Sequence, residues 1–275
     1  MLSISKTSEN LRIFANDIQR KAPTTQKSYL SIARKFMEES GDLSRPGIMT
    51  FMNGAGYCDN SLRAAYYVIK HLCKAMDVKF PLDKEDLPPL PDDEDIYTPT
   101  MTMDEVVKLV GYWKEYPGSY PTALLYMSTI WALRAIEMTP YEPFSEKKAG
   151  IEIHDKSVTV HVAKRRTQVI REHPIWGDGM IYLCGYEPLS EKTVGNTFWK
   201  ICRKAGVKRD DDEGWHSIRR GFATIAQDNG VNPVLVKRFM RWARERGDMA
   251  SMYYHKPFAE INEDMRLVHP FLSLW

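Results

Sequence analysis

Two kinds of hydrophobic spacing divide the chain into helical segments and one short sheet. Apolar residues recur three and four positions apart through most of the sequence, which predicts amphipathic helices. A clear example is the apolar stripe of Tyr29, Ile32 and Phe36. A second long stripe follows it within residues 23–80. Between residues 151 and 175 the period changes to two, which predicts strands. The pattern therefore predicts a mainly α protein with a small antiparallel β-sheet.

The N-terminal part of the chain divides into a short arm and a small helical domain. Residues 1–22 hold one amphipathic stretch and are set apart as an arm, whereas residues 23–80 hold two long helices, the second capped by Asp59 or Asn60. Basic side chains lie off the apolar stripes of this domain: Lys27, Arg34, Lys35, Arg63, Lys70 and Lys74. Taken alone, a bundle with solvated lysines and a bundle that binds DNA are equally good interpretations.

Residues 81–100 form a linker between this domain and the rest of the chain. They contain five of the sixteen prolines, seven acidic residues and one lysine, a composition typical of an extended, semi-stiff segment. The whole chain has a formal net charge of only +2. Because the acidic linker masks basic segments on both sides, this near-neutral total does not exclude a polyanionic partner.

Residues 101–255 form a second predicted domain. Its helix from Thr122 is strongly apolar and leads into Arg134, which directly follows a buried run. A buried guanidinium needs an anion. Glu137, three residues on, is one candidate anion, and a bound phosphate is the other.

Basic residues cluster at two further places in this domain. The tip of the predicted hairpin carries Lys164, Arg165 and Arg166, and the helix over 190–207 carries Lys200, Arg203 and Lys204 on its outer side. A basic face of this density suits a DNA groove or backbone.

The remaining composition narrows the class of protein. The four cysteines are far apart and show no C-x-x-C spacing, so reduced thiols are expected and no zinc site. No run of about 18 apolar residues and no signal-peptide segment occurs. We therefore expect a cytoplasmic protein without membrane contact, metal or cofactor.

The stretch from Gly214 to His255 concentrates candidate chemistry. Two helices joined at Asn229-Gly230 are predicted, and the first of them carries His216 and Arg219 three residues apart, on one face. Such a pair can bind a phosphate. For these two residues alone, however, a surface pair or a helix-capping pair is the more common interpretation.

Four segments in order carry a resemblance to a known family: His216-Ser217-Ile218-Arg219, Phe222-Ala223-Thr224, Met240-Arg241-Trp242 and Met249-Ala250-Ser251-Met252-Tyr253. Together they resemble the C-terminal half of a tyrosine recombinase, and the last is similar to the nucleophile segment of phage lambda integrase. The run around Arg134 resembles the first arginine box of the same family. Arg220 departs from the pattern, since a second histidine is common there. The resemblance extends over residues 22–255.

This resemblance implies a two-domain fold, with a helical core-binding domain over 23–80 and a mixed α+β catalytic domain over 101–255. The implied catalytic residues are Arg134, Lys164, His216, Arg219, Trp242 and Tyr253, with Glu137 in support. Arg165 and Arg166 are rivals of Lys164. Tyr254 is the rival of Tyr253, which fits the family's common Y-x-H spacing to His255. The tail over 256–275 either folds back on its own core or, as the resemblance implies, docks into a neighbouring protomer.

The implied reaction is the cutting and rejoining of DNA through a 3′-phosphotyrosyl intermediate. The implied partners are double-stranded DNA with a specific attachment site and an accessory directionality factor. The chain is expected to form a homo-tetramer on the DNA, in the nucleoid of a host cell. An integrase of a virus or mobile element is the first interpretation. The alternatives are a Xer-like resolvase of chromosome or plasmid dimers, a topoisomerase-like enzyme, and a DNA-binding regulator without activity.

Overall fold

The chain folds as two units, residues 1–97 and 98–275, in a computed structural model. The structure describes residues 4–87, 98–144, 148–163, 168–209, 213–242 and 255–275. The boundary between the units lies within the predicted linker.

In its described residues the first unit contains four α-helices: α1 (Ile4–Asp17), α2 (Pro23–Glu39), α3 (Arg45–Gly54) and α4 (Asp59–Ala75). Proline in the first turn of α2 suits a position whose N–H needs no helical partner. Phe14 and Ile18 from the first segment are fully buried together with Phe36 and Ile69. Helix α1 therefore packs into the core of this helical unit.

Two local features of the first unit differ from the expectation. Cys58 is the N-cap of α4, so Asp59 lies in the first helical turn instead of capping it. The start of the predicted linker is held on the unit, because Asp86 accepts a hydrogen bond of 2.7 Å from Arg45 and the Asp83 carbonyl accepts one of 2.9 Å from the Tyr66 hydroxyl.

The second unit contains seven helices in its described residues: α5 (Met103–Trp113), α6 (Tyr120–Ile130), α7 (Gly179–Leu183), α8 (Glu191–Lys204), α9 (Trp215–Asp228), α10 (Pro233–Phe239) and α11 (Phe258–Val268). Thr102 caps α5 in a capping box with Glu105. Helix α6 is buried from Pro121 to Ile130, which makes it the central element of this core. Between α9 and α10, at the predicted junction Asn229-Gly230, Gly230 has a φ of 77°, the left-handed conformation in which many helices end.

A three-stranded antiparallel sheet completes the second unit. Its strands β1 (Gly150–Ile153), β2 (Ser157–His161) and β3 (Ile170–Pro174) pair in the order β1-β2-β3. Val160 faces Ile151 across one ladder, and Val158 faces His173 across the other. The predicted fold class, mainly α with a small antiparallel sheet, is confirmed.

The C-terminal segment folds back on the second unit. Ile261, Met265 and Phe271 are fully buried in its core. The Trp275 indole donates to the Thr129 hydroxyl at 3.0 Å, and its carbonyl accepts from the Tyr182 hydroxyl at 3.1 Å. Of the two sequence alternatives for this tail, the structure shows the first.

Candidate active site

Arg134 stands at a break between two short pieces of helix. After α6 ends at Ile130, Ala132 takes a φ of 47° and turns the chain, and a 3-10 turn follows from Ala135 to Met138. The Glu137 carboxylate accepts from the Arg134 backbone N–H at 3.0 Å and from its guanidinium at 2.7 Å. Glu137 is fully buried, whereas 18% of the Arg134 side chain remains exposed. Glu137 therefore holds the Arg134 guanidinium in place from the buried side, while part of the Arg134 side chain remains exposed.

Glu137 is ionised in spite of its burial. Burial alone would raise its pKa, but Arg241, Arg134 and Arg219 outweigh that effect and lower the pKa to about 2. The carboxylate also accepts from the Ala163 backbone N–H at 3.2 Å. The Glu137 carboxylate thus links the turn that carries Arg134 to Ala163, which follows strand β2 and directly precedes Lys164.

Arg219 reaches the same place from helix α9. Its side chain is buried, and its two amino groups donate to the main-chain carbonyls of Ala132 and Met240. Burial, together with Arg241 and Arg134, lowers the pKa of Arg219, while Glu137 opposes that shift. A guanidinium remains protonated even so.

Arg241 belongs to the same buried cluster, although the sequence interpretation gave it no role. It is 3% exposed and donates to the second oxygen of Glu137 at 3.3 Å. Among the described residues, three guanidinium groups, those of Arg134, Arg219 and Arg241, therefore surround a single carboxylate. Buried charge is costly unless it is paired, so this excess of positive charge favours an anionic ligand.

A buried histidine supports Arg241. The guanidinium donates to His173 Nε2 at 2.8 Å, and His173 Nδ1 lies 2.9 Å from the side-chain oxygen of Asn262 on helix α11. Because Asn262 donates its amide group to the Glu172 carbonyl, its oxygen is the acceptor and His173 carries its proton on Nδ1. Burial and Arg241 lower the pKa of His173 well below the usual value.

The other predicted catalytic residues are placed as follows. His216, in the first turn of α9, is exposed, although Arg219 one turn later is buried. Trp242 is 37% exposed and directly follows Arg241. Lys164, Arg165, Arg166, Tyr253 and Tyr254 lie outside the described residues. The structure thus brings Arg134, Arg219 and Glu137 together, and the roles of the other residues stay predictions.

A groove at the end of helix α4 carries basic and aromatic side chains. It has a volume of about 660 Å³ and is lined by Lys70, Lys74, Lys79, His71 and Tyr67, among others. Lys70 and Lys74 are exposed. A groove of this composition suits a nucleic-acid backbone.

The remaining predicted DNA-binding residues differ in their surroundings. Lys27, Arg34, Arg203 and Lys204 are exposed, and Arg63 is half-buried. The Lys35 ammonium contacts the Ala55 carbonyl at 3.0 Å and lies over the Tyr57 ring. The Lys200 ammonium contacts the Tyr120 hydroxyl at 3.0 Å. These intramolecular contacts hold both ammonium groups against the protein, and the contact of Lys35 and Lys200 with DNA stays a prediction.

Removing the exposed lysines of the α4 groove should change how DNA binding depends on salt. We expect Lys70→Ala and Lys74→Ala each to lower the slope of log affinity against log salt concentration by about 1, because each ammonium neutralises about one phosphate. Fluorescence anisotropy with a labelled duplex measures this slope. Lys84→Ala, at an exposed lysine outside the groove and outside the predicted DNA-binding residues, is the matched control and should leave the slope unchanged. Wild-type slopes in both groove variants would show that the groove does not contact DNA.

Two buried histidines make the second unit sensitive to acid. Burial lowers the pKa of His269 to about 4, against the effect of its hydrogen bond to the Ile130 carbonyl, and His173 is shifted in the same direction. The unfolded chain therefore binds more protons below pH about 6.5. Their contribution to stability is complete above that pH and is lost as the pH falls, by up to about 1.4 kcal/mol per histidine and pH unit.

The test is urea unfolding between pH 7.5 and 4.5, followed by tryptophan fluorescence. All seven tryptophans lie between residues 98 and 275, so the signal reports only the second unit. Glu137, with its pKa near 2, begins to lose its own contribution below about pH 4.5 and does not interfere above it. A free energy of unfolding that stays constant from pH 7.5 to 4.5 would contradict the neutral, buried state of both histidines.

The described residues contain neither a metal-binding cluster nor a membrane-spanning helix. Among the described residues, no group of three or more His, Cys, Asp or Glu side chains is arranged to hold a metal ion. No helix in the part of the chain that the structure describes is long and apolar enough to cross a membrane.

Solved structures resemble the chain over most of its length. A lambda integrase tetramer bound to a Holliday junction matches with a TM-score of 0.63 and 14% identity, over 88% of this chain and 78% of the other. A lambda integrase dimer bound to a COC′ core site matches with a TM-score of 0.62 and 14% identity, over 90% and 76%. XerH site-specific recombinase bound to a palindromic difH substrate matches with a TM-score of 0.56 and 12% identity, over 88% and 79%.

No family model matches the chain, and no curated protein matches it in sequence. At these identities the structural likeness concerns the fold. The chain has the fold of lambda integrase and XerH, and the fold expected from the sequence resemblance is confirmed.

Proposed function

We propose that a chain with this fold and this arginine cluster is a site-specific DNA recombinase, which cuts and rejoins DNA through a 3′-phosphotyrosyl intermediate. The observation that carries the proposal is the meeting of Arg134 and Arg219 beside the buried Glu137, although they come from separate elements of the second unit. Paired guanidiniums recognise the non-bridging oxygens of a phosphate. The excess positive charge suits the additional negative charge of a phosphorane transition state.

The proposed first step is attack by the Tyr253 phenol oxygen on phosphorus. A bond forms from that oxygen to phosphorus, and the bond from phosphorus to the 5′ oxygen breaks. His216 accepts the phenol proton or serves as a third phosphate donor, and Lys164 gives a proton to the leaving 5′ oxygen. Trp242 donates its indole N–H to the phosphate. Attack by the 5′ hydroxyl of another strand on the phosphotyrosyl bond reverses these changes and rejoins the DNA.

Arg219 keeps N–H donors for a phosphate, although it is buried and both its amino groups donate to main-chain carbonyls. Each amino group carries a second N–H bond, and the buried Nε–H has no hydrogen-bond partner among the described residues. Direct contact with a phosphate therefore requires access to the buried guanidinium rather than the loss of a carbonyl. Arg134, whose guanidinium is partly exposed, is already accessible.

The proposed setting is the integration or excision of a virus or mobile element in the nucleoid of a host cell. The matched lambda integrase structures contain a dimer on a core site and a tetramer on a Holliday junction. By analogy we propose that this chain acts on double-stranded DNA with a specific attachment site, as a homo-tetramer, with an accessory directionality factor. The likeness to XerH favours a second candidate, a Xer-like resolvase, which would use the same chemistry.

The experiment that tests the proposal is covalent trapping. Duplexes that bind the protein are first selected from a randomised library and are then made with a nick close to each possible cleavage point, so that the released fragment diffuses away. A denaturing gel detects the adduct, and peptide mapping locates it. We expect a 3′-phosphotyrosyl bond at Tyr253. Absence of an adduct at every nick position of the selected duplexes would refute strand transfer and leave a DNA-binding protein without this activity.

A further inference from the structure

The backbone at Arg241 is held in an unfavourable conformation. Its φ is 59°, in the left-handed region that a bulky side chain rarely adopts. Among the described residues only Asp77, Ala132 and Lys148 share this property without being glycine. Arg241 donates to the carbonyl of one of them, Ala132, at 3.2 Å. Such strain persists only where the surroundings determine the conformation, and it concentrates at functional sites.

The surroundings of Arg241 do determine it. Its guanidinium donates to the carbonyls of Trp131 at 3.0 Å and Phe239 at 3.1 Å, in addition to Ala132, and to His173 Nε2 at 2.8 Å. These acceptors come from the end of α6, the end of α10 and strand β3. The side chain is 1% exposed. Arg241 is therefore fixed from several elements, and its side chain is closed to solvent.

Arg241 also contacts Glu137, and this contact complements that of Arg134. One Glu137 oxygen receives the Arg134 guanidinium at 2.7 Å and the Ala163 N–H, whereas the other receives the Arg134 backbone N–H and, at 3.3 Å, Arg241. Without Arg241 the second oxygen would keep only a main-chain donor among these groups. Arg241 thus contacts the Glu137 carboxylate on the side opposite the Arg134 guanidinium and restrains the rotation of that carboxylate.

We propose that Arg241 is a positioning residue, which acts through Glu137 to orient Arg134 toward an anion. The preceding residue, Met240, positions the second arginine, because its carbonyl accepts a hydrogen bond from Arg219. A change at Arg241 therefore reaches both phosphate-binding arginines. The inference rests on the proposed function only as far as the anion is a DNA phosphodiester.

Three variants separate the charge of Arg241 from its backbone strain. Arg241→Gly removes both the charge and the strain, Arg241→Met removes only the charge, and Arg241→Lys keeps the charge. The first readout is binding of inorganic sulfate, measured by calorimetry, with Arg134→Ala as the control that locates the sulfate at this cluster. The second is the rate of adduct formation at saturating suicide DNA, compared with the dissociation constant for the same DNA.

We expect Arg241→Gly and Arg241→Met to weaken sulfate binding and to slow adduct formation by about 10- to 100-fold, the usual effect of removing a supporting contact. The dissociation constant for DNA should stay unchanged, and Arg241→Lys should recover most of both losses. A purely structural role predicts instead that the folded fraction of Arg241→Gly, which also lacks the left-handed strain, binds sulfate with wild-type affinity.

The outcomes are distinguishable from failure of the proposed function. Wild-type sulfate affinity in Arg241→Gly overturns the inference, and so does an Arg241→Lys variant that is as impaired as Arg241→Met. A wild-type protein that binds sulfate at Arg134 but forms no adduct with the selected DNA refutes strand transfer. In that case the sulfate affinities alone decide whether Arg241 positions the cluster.

Discussion

Replacement of Tyr253 by phenylalanine is expected to abolish covalent capture of suicide DNA. The phenol oxygen is the proposed nucleophile, and a phenyl ring has no atom that could form the bond to phosphorus. By comparison with other covalent enzymes, loss of the nucleophile should cost about 10⁴-fold or more in rate. A radiolabelled suicide duplex followed on denaturing gels measures the loss over this range.

Tyr254→Phe is the matched control, because it removes the neighbouring phenol and keeps Tyr253. It should form the adduct at close to the wild-type rate, and both variants should bind uncleaved DNA with wild-type affinity. An adduct that survives Tyr253→Phe and disappears in Tyr254→Phe would move the nucleophile by one residue. An adduct that survives both changes would contradict the assignment of this segment.

Glu137→Gln is expected to destabilise the second unit by about 3–5 kcal/mol, the usual cost of breaking a buried ion pair. The carboxylate is fully buried and is the partner of both Arg134 and Arg241. A glutamine of the same shape would leave the guanidinium charges in the core without their counter-ion. Its amide NH₂ would also face an arginine N–H, where no acceptor remains.

Urea unfolding followed by tryptophan fluorescence at pH 7 measures this change in the second unit alone. Glu263→Gln is the control, since its ion pair with Arg266 is exposed on helix α11 and such pairs contribute little. A loss below 1 kcal/mol in Glu137→Gln would show that Glu137 is not the main counter-ion of the cluster.

Much of the fold could be predicted because it depends on local spacing. The stripe of helix α2, the alternating valines of β2, and the αL glycine at 230 all follow from the residues of their own segment. Helix α6 was expected to continue close to Arg134, but it ends at Ile130 because Ala132 takes a left-handed φ. That turn is stabilised by arginines from distant segments, which no local pattern contains.

The candidate site was predictable in part for the same reason. Arg134 and Glu137 are three residues apart, so their pairing could be considered from the sequence. Arg241 stands in a run rich in arginine that looks like a solvated surface, and its burial depends on Glu137 and His173, which lie 104 and 68 positions away. The only local signal was its place between Met240 and Trp242, inside the segment that resembles the recombinase family.

The carboxylate shared by Arg134 and Arg241 also constrains how this sequence is able to vary. Groups within one network interact by about 0.5–3 kcal/mol, so their substitutions are not additive. The effect of losing Arg241 depends on whether Glu137 is present, and the reverse also holds. A substitution at one of these positions is therefore tolerated only after another has changed. We expect homologues to differ at Arg134, Glu137 and Arg241 together rather than at one of them alone.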